Sequence, residues 1–279
     1  MKLSVIIVNH NLCKPLRHSL NELQLALQTI DSEIIVADDA SDDSSAEMVK
    51  NEFPQVTLLR SDKHQGFTKT ANQAMAAAQG EYLLLANPDT ISNADALHKM
   101  LDFMDAHADT GGLTVRMLDA EGNHIMDAQN GMPEAWIHFF KYTGLSRLFP
   151  KTRLFSNYYQ GGWVEAFEST EVDVICNTYM LLRKSVIAQI GVFDERFPVY
   201  GQDIDLSYRI RLAGFKNYYF AKTFIIWQQA RQTNKYSWQH IKYFYGAMLI
   251  FATKYLFKMP ELRLKGLGRG SAALYEFKI

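Results

Sequence analysis

Residues 82–90 read YLLLANPDT, an apolar run that ends in an asparagine, a proline and an aspartate. The apolar run is typical of a buried strand, and Pro88 ends it because proline lacks a backbone N–H and has a fixed φ. The chain must turn here, and the turn carries the carboxylate of Asp89. The stretch therefore predicts a polar site at the edge of a buried sheet.

Strand and helix signals alternate on both sides of this stretch. Short apolar runs predict strands at 3–9, 33–37, 56–60 and 82–86. Helical spacing or composition predicts helices at 16–27, 44–52, 67–80 and 94–107. This alternation indicates right-handed βαβ units and an α/β fold, with a mainly parallel sheet and helices on both faces.

Polar residues follow the predicted strands. The residues just past the strand ends are Asn9 to Asn11, Asp38 and Asp39, His64 to Phe67, and Asn87 to Asp89, and most of them are polar. Ligands of such sheets bind at the carboxyl ends of the strands, so these groups are candidates for one site. No glycine follows the first strand, which argues against a dinucleotide-binding fingerprint.

Composition narrows the class of protein. The 279 residues are 48% hydrophobic and carry a formal net charge of −1, so the chain can bury a large core and has no bulk attraction for nucleic acid. The charge is uneven, at +7 for residues 231–279 and −8 before them.

Cellular location is predicted from the cysteines and the apolar segments. Cys13 and Cys176 lie far apart without metal-ligand spacing, as is typical of a reducing compartment. The longest apolar stretch, residues 243–253, is shorter than the roughly 20 residues that cross a bilayer, and no secretory signal is evident. We expect a cytoplasmic protein.

Six motifs occur in an informative order. They are SVIIVNHN (4–11), EIIVADDASDDSS (33–45), HQGFTKTANQAM (64–75), LLLANPDT (83–90), VDVICNTYMLLRKSV (172–186) and GVFDERFPVYGQDIDLSYRIRLAGF (191–215). Together they resemble glycosyltransferase family two, above all its bacterial rhamnosyltransferase-like branch, over about residues 3–228. The resemblance implies a GT-A fold, a nucleotide-diphosphate sugar donor and inversion at the anomeric carbon. We expect the GT-A domain at residues 1–230 and a basic helical extension packed on it at 231–279.

The resemblance assigns the donor side of the reaction. Asp89 matches the family's metal-binding carboxylate for Mg²⁺ or Mn²⁺, although it can also be a cap for the helix near Asn93. Asp38 matches the residue that binds the base or ribose of the donor. Asn9 and Asn11 are expected to shape the base pocket, with ordinary turns as the alternative.

The remaining donor-side candidates surround the third motif and the Asn-Pro-Asp turn. We expect the donor to contact His64, Gly66, Phe67, Lys69, Asn72 and Asn87. Gly66 permits close backbone approach, and His64 stands where the family usually has asparagine. Asp39, Asp42 and Asp43 are interpreted as turn and cap residues for the next helix.

The fifth and sixth motifs carry the acceptor side. Asp203 matches the family's general base, and its alternative role is to complement a helix dipole. Asp205 points to another side of the helix, at about 100° per residue. Gln202 replaces the family's glutamate and stays on the acceptor side. Asp173 is either acceptor-binding or structural.

The sequence departs from the family after the last strand. The family commonly has a histidine there that touches the metal or the diphosphate, whereas this chain has Trp227, Gln228 and Gln229. Two alternatives follow: metal binding rests on Asp89 alone, or Arg231 neutralises the phosphates directly.

Residues 238–258 predict a long helix with an apolar side and basic residues. One interpretation is packing on the body or a homodimer contact. The other is peripheral contact with anionic lipid at the inner face of the membrane. The candidate lipid contacts are Lys254, Lys258, Arg263, Lys265 and Arg269.

The favoured function is an inverting glycosyltransferase that builds a surface polysaccharide or glycolipid, with a glycan or a lipid-linked acceptor. A catalytically weak nucleotide-sugar binding protein is the alternative. A third hypothesis is a glycoside hydrolase, which would need two carboxylates flanking one bond and no nucleotide pocket.

Overall fold

A computed structural model describes residues 1–125, 142, 169–197, 199–228 and 238–255, with side chains of the last segment described from residue 242 onward. The described strands are β1 (Leu3–Asn9), β2 (Ser32–Asp38), β3 (Thr57–Arg60), β4 (Tyr82–Ala86), β5 (Thr90–Ile91), β6 (Thr110–Leu118), β7 (Thr170–Val172), β8 (Tyr179–Arg183) and β9 (Lys216–Trp227). The described helices are α1 (Cys13–Ala26), α2 (Ser45–Glu52), α3 (Phe67–Ala77), α4 (Ala94–Ala106), α5 (Lys184–Ile190), α6 (Gln202–Leu212) and α7 (Trp238–Tyr255).

The strands form one mixed sheet in the order β3-β2-β1-β4-β8-β6-β9-β5, with β7 paired to β9. Strands β1 to β4 run parallel, β8 runs antiparallel to β4 and β6, and β9 runs parallel to β6. The α/β prediction is confirmed. The carboxyl ends of β1, β2, β4, β6 and β9 share one side of the sheet, which we call the carboxyl edge.

Both faces of the sheet are covered, which explains why its central strands are apolar without alternation. Val5 and Ile7 of β1 belong to one buried cluster with Leu16 and Leu20 of α1. Ile6, which points the other way, packs in a second cluster with residues of α3, α5 and α6. Burial on both faces makes β1 and its neighbours a rigid platform for the polar residues at their ends.

Gly80 joins α3 to β4 where the backbone passes close to β1. A Cβ built on Gly80 would lie 2.5 Å from the Ser4 nitrogen and 2.6 Å from the Leu3 carbonyl carbon, so only glycine fits. Helix α3 ends at Ala77, three residues before the predicted end at residue 80, and Gly80 instead sets the close approach between the start of β4 and β1.

Helix α7 packs on the body, and the described part of the extension agrees with the packing interpretation. Its residues Met248 and Phe251 are buried in a cluster with Phe197, Ile204 and Tyr208. No helix in the described ranges is both long and apolar enough to cross a membrane.

The lipid contact predicted for Lys254 is wrong. Its ammonium group is paired with Asp194 at 2.8 Å and with Asp205 at 2.6 Å, so it faces the protein. The other predicted lipid contacts lie outside the described residues, namely Lys258, Arg263, Lys265 and Arg269. Gln229, Arg231 and residues 126–141 and 143–168 also lie outside them.

Candidate active site at the carboxyl edge

Asn9 and Asp38 end β1 and β2 and face each other in the strand register. The Asn9 Nδ2 donates to Asp38 Oδ1 at 3.1 Å, and the Ser41 hydroxyl donates to the same oxygen at 2.6 Å. The Ser41 backbone N–H donates to Asp38 Oδ2 at 3.0 Å. Asn9 and Asp38 are both fully buried.

This burial corrects the expectation that the carboxylate of Asp38 touches the donor. Its hydrogen bonds fix the turn after β2, and its side chain is not presented to solvent. Asn9 is likewise internal. The turn itself stays accessible at Asn11, which is partly exposed, has φ 57° and accepts a hydrogen bond from the Asp42 N–H through Oδ1 at 2.9 Å.

Asp39 holds the loop that precedes α3. Its Oδ1 accepts from the Gln65 N–H at 2.7 Å, and its Oδ2 accepts from the Gly66 N–H at 2.9 Å. The His64 Nδ1 lies 2.8 Å from the same Oδ2. The sequence predicted only that Asp39 belongs to the turn and cap of the next helix, and its hydrogen bonds to the loop before α3 were not predicted. The available signal was that loops after adjacent parallel strands are neighbours in space.

Two imidazole rings lie over this clamp. The rings of His10 and His64 have centroids 4.4 Å apart, and the Nδ1 of His10 lies 2.8 Å from the carbonyl oxygen of Asp39. His64 remains 61% exposed in its side chain. The pair therefore forms a solvent-facing surface at the ends of β1 and β2.

The remaining donor candidates near the start of α3 differ in their exposure to solvent. Gly66 has φ 88° and precedes the helix, and Phe67 and Lys69 are partly exposed. Asn72 is buried, and its amide bonds both backbone groups of Phe193, at 2.9 Å to the carbonyl and 3.0 Å from the N–H. Asn72, which was predicted to contact the donor, therefore has a structural role, because both polar atoms of its side chain are already bonded to Phe193.

The Asn-Pro-Asp turn joins β4 to the end of β9. The Asn87 N–H donates to the Thr178 carbonyl at 2.9 Å, and the Asp89 carbonyl accepts from the Gln228 N–H at 3.0 Å. Asn93, rather than Asp89, caps α4, since its Oδ1 accepts from the Ala96 N–H at 2.8 Å. The capping alternative for Asp89 is thereby removed.

Asp203 lies in the first turn of α6, which follows Gly201 in the left-handed conformation. Its Oδ1 accepts from the Ile204 N–H at 2.9 Å, and it also accepts a backbone hydrogen bond from Asn177. Part of the residue is exposed, but its carboxyl lies deep enough that desolvation raises its pKa to about 6 despite those backbone bonds. A carboxyl with this pKa is suited to accept a proton near neutral pH.

The neighbours of Asp203 have different surroundings. Gln202 is buried, and within the described residues its Oε1 has no hydrogen-bond partner. Asp205 is fully buried on another side of the helix, as its spacing predicted.

Asp173 is remote from this group. It forms an ion pair with Arg211 near the end of α6, and its backbone carbonyl accepts from the Asn217 side chain at 3.1 Å, at the amino end of β9. Of the two interpretations, the structural one applies.

A segment before β8 links the surroundings of Asp203 with those of the buried Asp89. Asn177 bonds Asp203, and the next residue, Thr178, bonds Asn87 of the turn that carries Asp89. The two carboxylates thus belong to one region of the carboxyl edge.

Comparison with known proteins agrees with this geometry. The family model described as glycosyl transferase family 2 matches residues 4–171. The chain belongs to this family. As a glycosyltransferase of family 2, it has the α/β fold that its motifs predicted.

Two curated bacterial relatives extend the likeness. The N-acetylglucosaminyl-diphospho-decaprenol L-rhamnosyltransferase of Mycobacterium tuberculosis is 26% identical over 98% of this chain and 91% of its own length. The poly-beta-1,6-N-acetyl-D-glucosamine synthase of Staphylococcus aureus is 22% identical over 69% of this chain and 42% of its own length.

Solved structures confirm the GT-A fold. S. aureus TarS 1–349 in complex with UDP-GlcNAc matches with a TM-score of 0.61 and 20% identity, over 91% of this chain and 66% of that one. The chain spans 39% of a longer TarS structure. The Pyrobaculum calidifontis mannosyltransferase PcManGT, in complex with GDP-Man and Mn²⁺, matches with a TM-score of 0.61 and 15% identity, over 91% and 64% of the two chains.

Proposed function

We propose that this protein is an inverting glycosyltransferase that moves a sugar from a UDP- or dTDP-sugar to a hydroxyl group of a glycan or lipid-linked acceptor. The observation that carries the proposal is the raised pKa of Asp203, about 6, at the same sheet edge as Asp89. Glycosyl transfer needs both a base for the attacking hydroxyl and a means of stabilising the leaving diphosphate, and these are the roles proposed for Asp203 and Asp89.

In the proposed reaction, Asp203 takes the proton of the acceptor hydroxyl while the hydroxyl oxygen attacks the anomeric carbon. The bond between that carbon and the diphosphate oxygen breaks, and the nucleoside diphosphate leaves with the electron pair. Because the attack and the departure occur on opposite faces in one displacement, the configuration inverts. The half-buried position of Asp203 supports a base that is shielded from bulk water yet reachable by a substrate.

Asp89 is the residue proposed to hold Mg²⁺ or Mn²⁺. Its carboxylate is the hard oxygen ligand that such ions prefer, and the part of the chain that the structure describes contains no group of three metal-ligating side chains. The donor diphosphate and water would therefore complete the coordination. A bound ion would offset the charge that develops on the leaving group.

The donor's nucleotide is proposed to lie over the ends of β1, β2 and α3. The exposure of Asn11, His64, Phe67 and Lys69 supports direct contact, with Gly66 and Asn87 contributing backbone at the two ends of the surface. Asn9 and Asp38 support this surface from beneath. Gln202 is buried beside Asp203, and its Oε1 has no hydrogen-bond partner among the described residues. We propose that this oxygen accepts from a second hydroxyl of the acceptor, since the reacting hydroxyl gives its one proton to Asp203.

The likeness to the mycobacterial rhamnosyltransferase supports a lipid-linked diphosphate sugar as acceptor and a role in surface polysaccharide assembly. We propose peripheral membrane contact through basic residues after α7. Sedimentation with anionic vesicles tests this contact. Loss of binding on removal of residues 259–279 supports it, and unchanged binding rejects it.

Turnover of a panel of UDP-, dTDP- and GDP-sugars, with Mn²⁺ or with EDTA, tests the reaction. We expect nucleoside diphosphate release that depends on Asp203 and disappears in Asp203→Asn. The matched control is Asp95→Asn, because Asp95 also lies in the first turn of a helix but is exposed. Binding of UDP or dTDP without any turnover would instead favour the catalytically weak binding protein.

A further inference from the structure

Asp205, two residues after the proposed base, is fully buried between α6 and α7. Its Oδ2 accepts from Arg209 Nε at 2.8 Å within the same helix. Its Oδ1 accepts from the Lys254 ammonium and from the Tyr255 hydroxyl, both at 2.6 Å. The last turn of α7 is thus bonded to the first half of α6.

Lys254 extends this contact to the loop that leads into α6. Its ammonium also donates to Asp194 Oδ2 at 2.8 Å, and Asp194 is paired with Arg196 at 2.6 Å. These cationic partners hold the pKa of Asp194 well below its usual range although burial opposes that shift. One ammonium therefore joins two carboxylates that would otherwise repel each other.

Arg209 completes the link between the loop and the helix. Its guanidinium donates to the backbone carbonyls of Ile190, Gly191 and Val192, at 2.7 to 2.9 Å. The loop from 190 to 196 and the first half of α6 are therefore held by the same set of charges.

Apolar contacts reinforce the charged ones. Ile204, which lies between Asp203 and Asp205, packs in one buried cluster with Tyr208 of α6 and with Met248 and Phe251 of α7. Ile204 and Asp205, the two residues after Asp203, therefore both contact α7. Asp203 therefore lies on a helical turn that α7 packs against.

We propose that α7 is a positioning element of the active site: Lys254 and Tyr255, acting through Asp205, fix the first turn of α6 so that Asp203 stays in its shielded place at the carboxyl edge. The base role of Asp203 rests on the proposed function. Lys254, Tyr255 and Asp205 are positioning residues, since none of them contacts the reacting groups.

A clear physical consequence follows from the loss of Lys254. Asp194 and Asp205 would face each other without the bridging cation, and the last turn of α7 would separate from α6. Water would then reach the first turn of α6, so the pKa of Asp203 would fall toward its ordinary value. Removal of a nearby cation by itself shifts a carboxyl's pKa upward, so a fall is diagnostic of the lost shielding.

The test titrates the side-chain carboxyls of the full chain by ¹³C NMR, with Asp203→Asn used to assign the Asp203 signal. In Lys254→Met we expect the pKa of Asp203 to fall by about one unit. In Tyr255→Phe, which keeps every charge, we expect a smaller fall and a folded protein. Lys99→Met is the control, because Lys99 is an exposed lysine paired with a residue four positions earlier on α4.

Activity gives a second readout. For any sugar nucleotide that wild type turns over, kcat in Lys254→Met should fall at least about 10-fold, because misplacement of a catalytic group is costly. UDP affinity should stay within about two-fold, since the nucleotide surface lies on other elements. An unchanged Asp203 pKa in both variants, with only the melting temperature lowered, would overturn the positioning role. The NMR result stands even where no sugar nucleotide is turned over, so failure of the proposed function is recognised separately.

Discussion

Asp203 and Asn87 are bonded to consecutive residues of one segment: Asp203 accepts from the backbone of Asn177, and the Asn87 N–H donates to the carbonyl of Thr178 at 2.9 Å. The base candidate and the turn that carries Asp89 thus share a support that comes from neither of their own elements. Residues 177 and 178 therefore connect the base candidate with the turn that carries Asp89.

The pH dependence of turnover should report Asp203. Because its pKa is raised to about 6, the carboxyl is ionised and able to accept a proton above that pH, and protonated below it. We expect kcat to fall about tenfold for each pH unit below 6. Initial rates between pH 4.5 and 8.5 measure this limb. A rate that is flat through pH 6 contradicts the assignment of Asp203 as base.

Substitution Asp203→Asn should also stabilise the protein above pH 6. A carboxyl whose pKa is raised on folding binds its proton more tightly in the folded state, so stability is lost as pH rises from about 4 to about 6. Asparagine has no such loss, and we expect a gain of about 1–3 kcal/mol in unfolding free energy at pH 8. Urea unfolding at pH 4 and pH 8 measures it, with no gain expected at pH 4. Asp95→Asn serves as the exposed control.

Substitution Asp89→Asn should remove the metal-dependent part of donor binding. Loss of an anionic oxygen ligand weakens the binding of a hard cation, so UDP affinity in the presence of Mn²⁺ should fall at least about 10-fold. Calorimetry with Mn²⁺ and with EDTA separates the two contributions. If the variant and wild type bind UDP equally in Mn²⁺, the metal is held by something other than Asp89.

Substitution Asp39→Asn should loosen the loop before α3. One of the two carboxylate oxygens that accept the Gln65 and Gly66 amides would become an NH₂ group, and the lost bond should lower stability by about 1–3 kcal/mol. Hydrogen exchange of those two amides should accelerate, and UDP should bind more weakly. Asp42→Asn, at an exposed position in the neighbouring turn, is the control. Unchanged exchange would show that the clamp does not order the loop.

The parts of the fold that the sequence predicts are those encoded locally. Strands β1, β2 and β4 are continuous apolar runs, and Pro88 marks the end of β4 without reference to any other segment. Strand β6 was not predicted from the sequence, because Gly111 and Gly112 near its start do not favour a strand. The antiparallel insertion of β8 between β4 and β6 was also missed, because pairing partners are set by tertiary packing.

The site shows the same division. The roles proposed for Asp89 and Asp203 follow from their motifs, but the burial of Asp38 depends on Asn9 and Ser41, which meet it only in the folded chain. Lys254 was mistaken for a surface residue because its partners Asp194 and Asp205 lie far from it in sequence. Motifs identify the candidate reactive side chains, whereas the burial of each side chain depends on residues that are distant in sequence and come together in the folded chain.

The place of β8 has a consequence for biosynthesis. During translation the edge of β4 has no partner until residues 179–183 leave the ribosome, which at about 5–20 residues per second takes roughly 5–20 s after β4 itself appears. For that interval the nascent chain presents an open apolar strand edge, the kind of surface that invites aggregation. We therefore expect slow elongation between residues 86 and 179 to increase the aggregation of newly made chains.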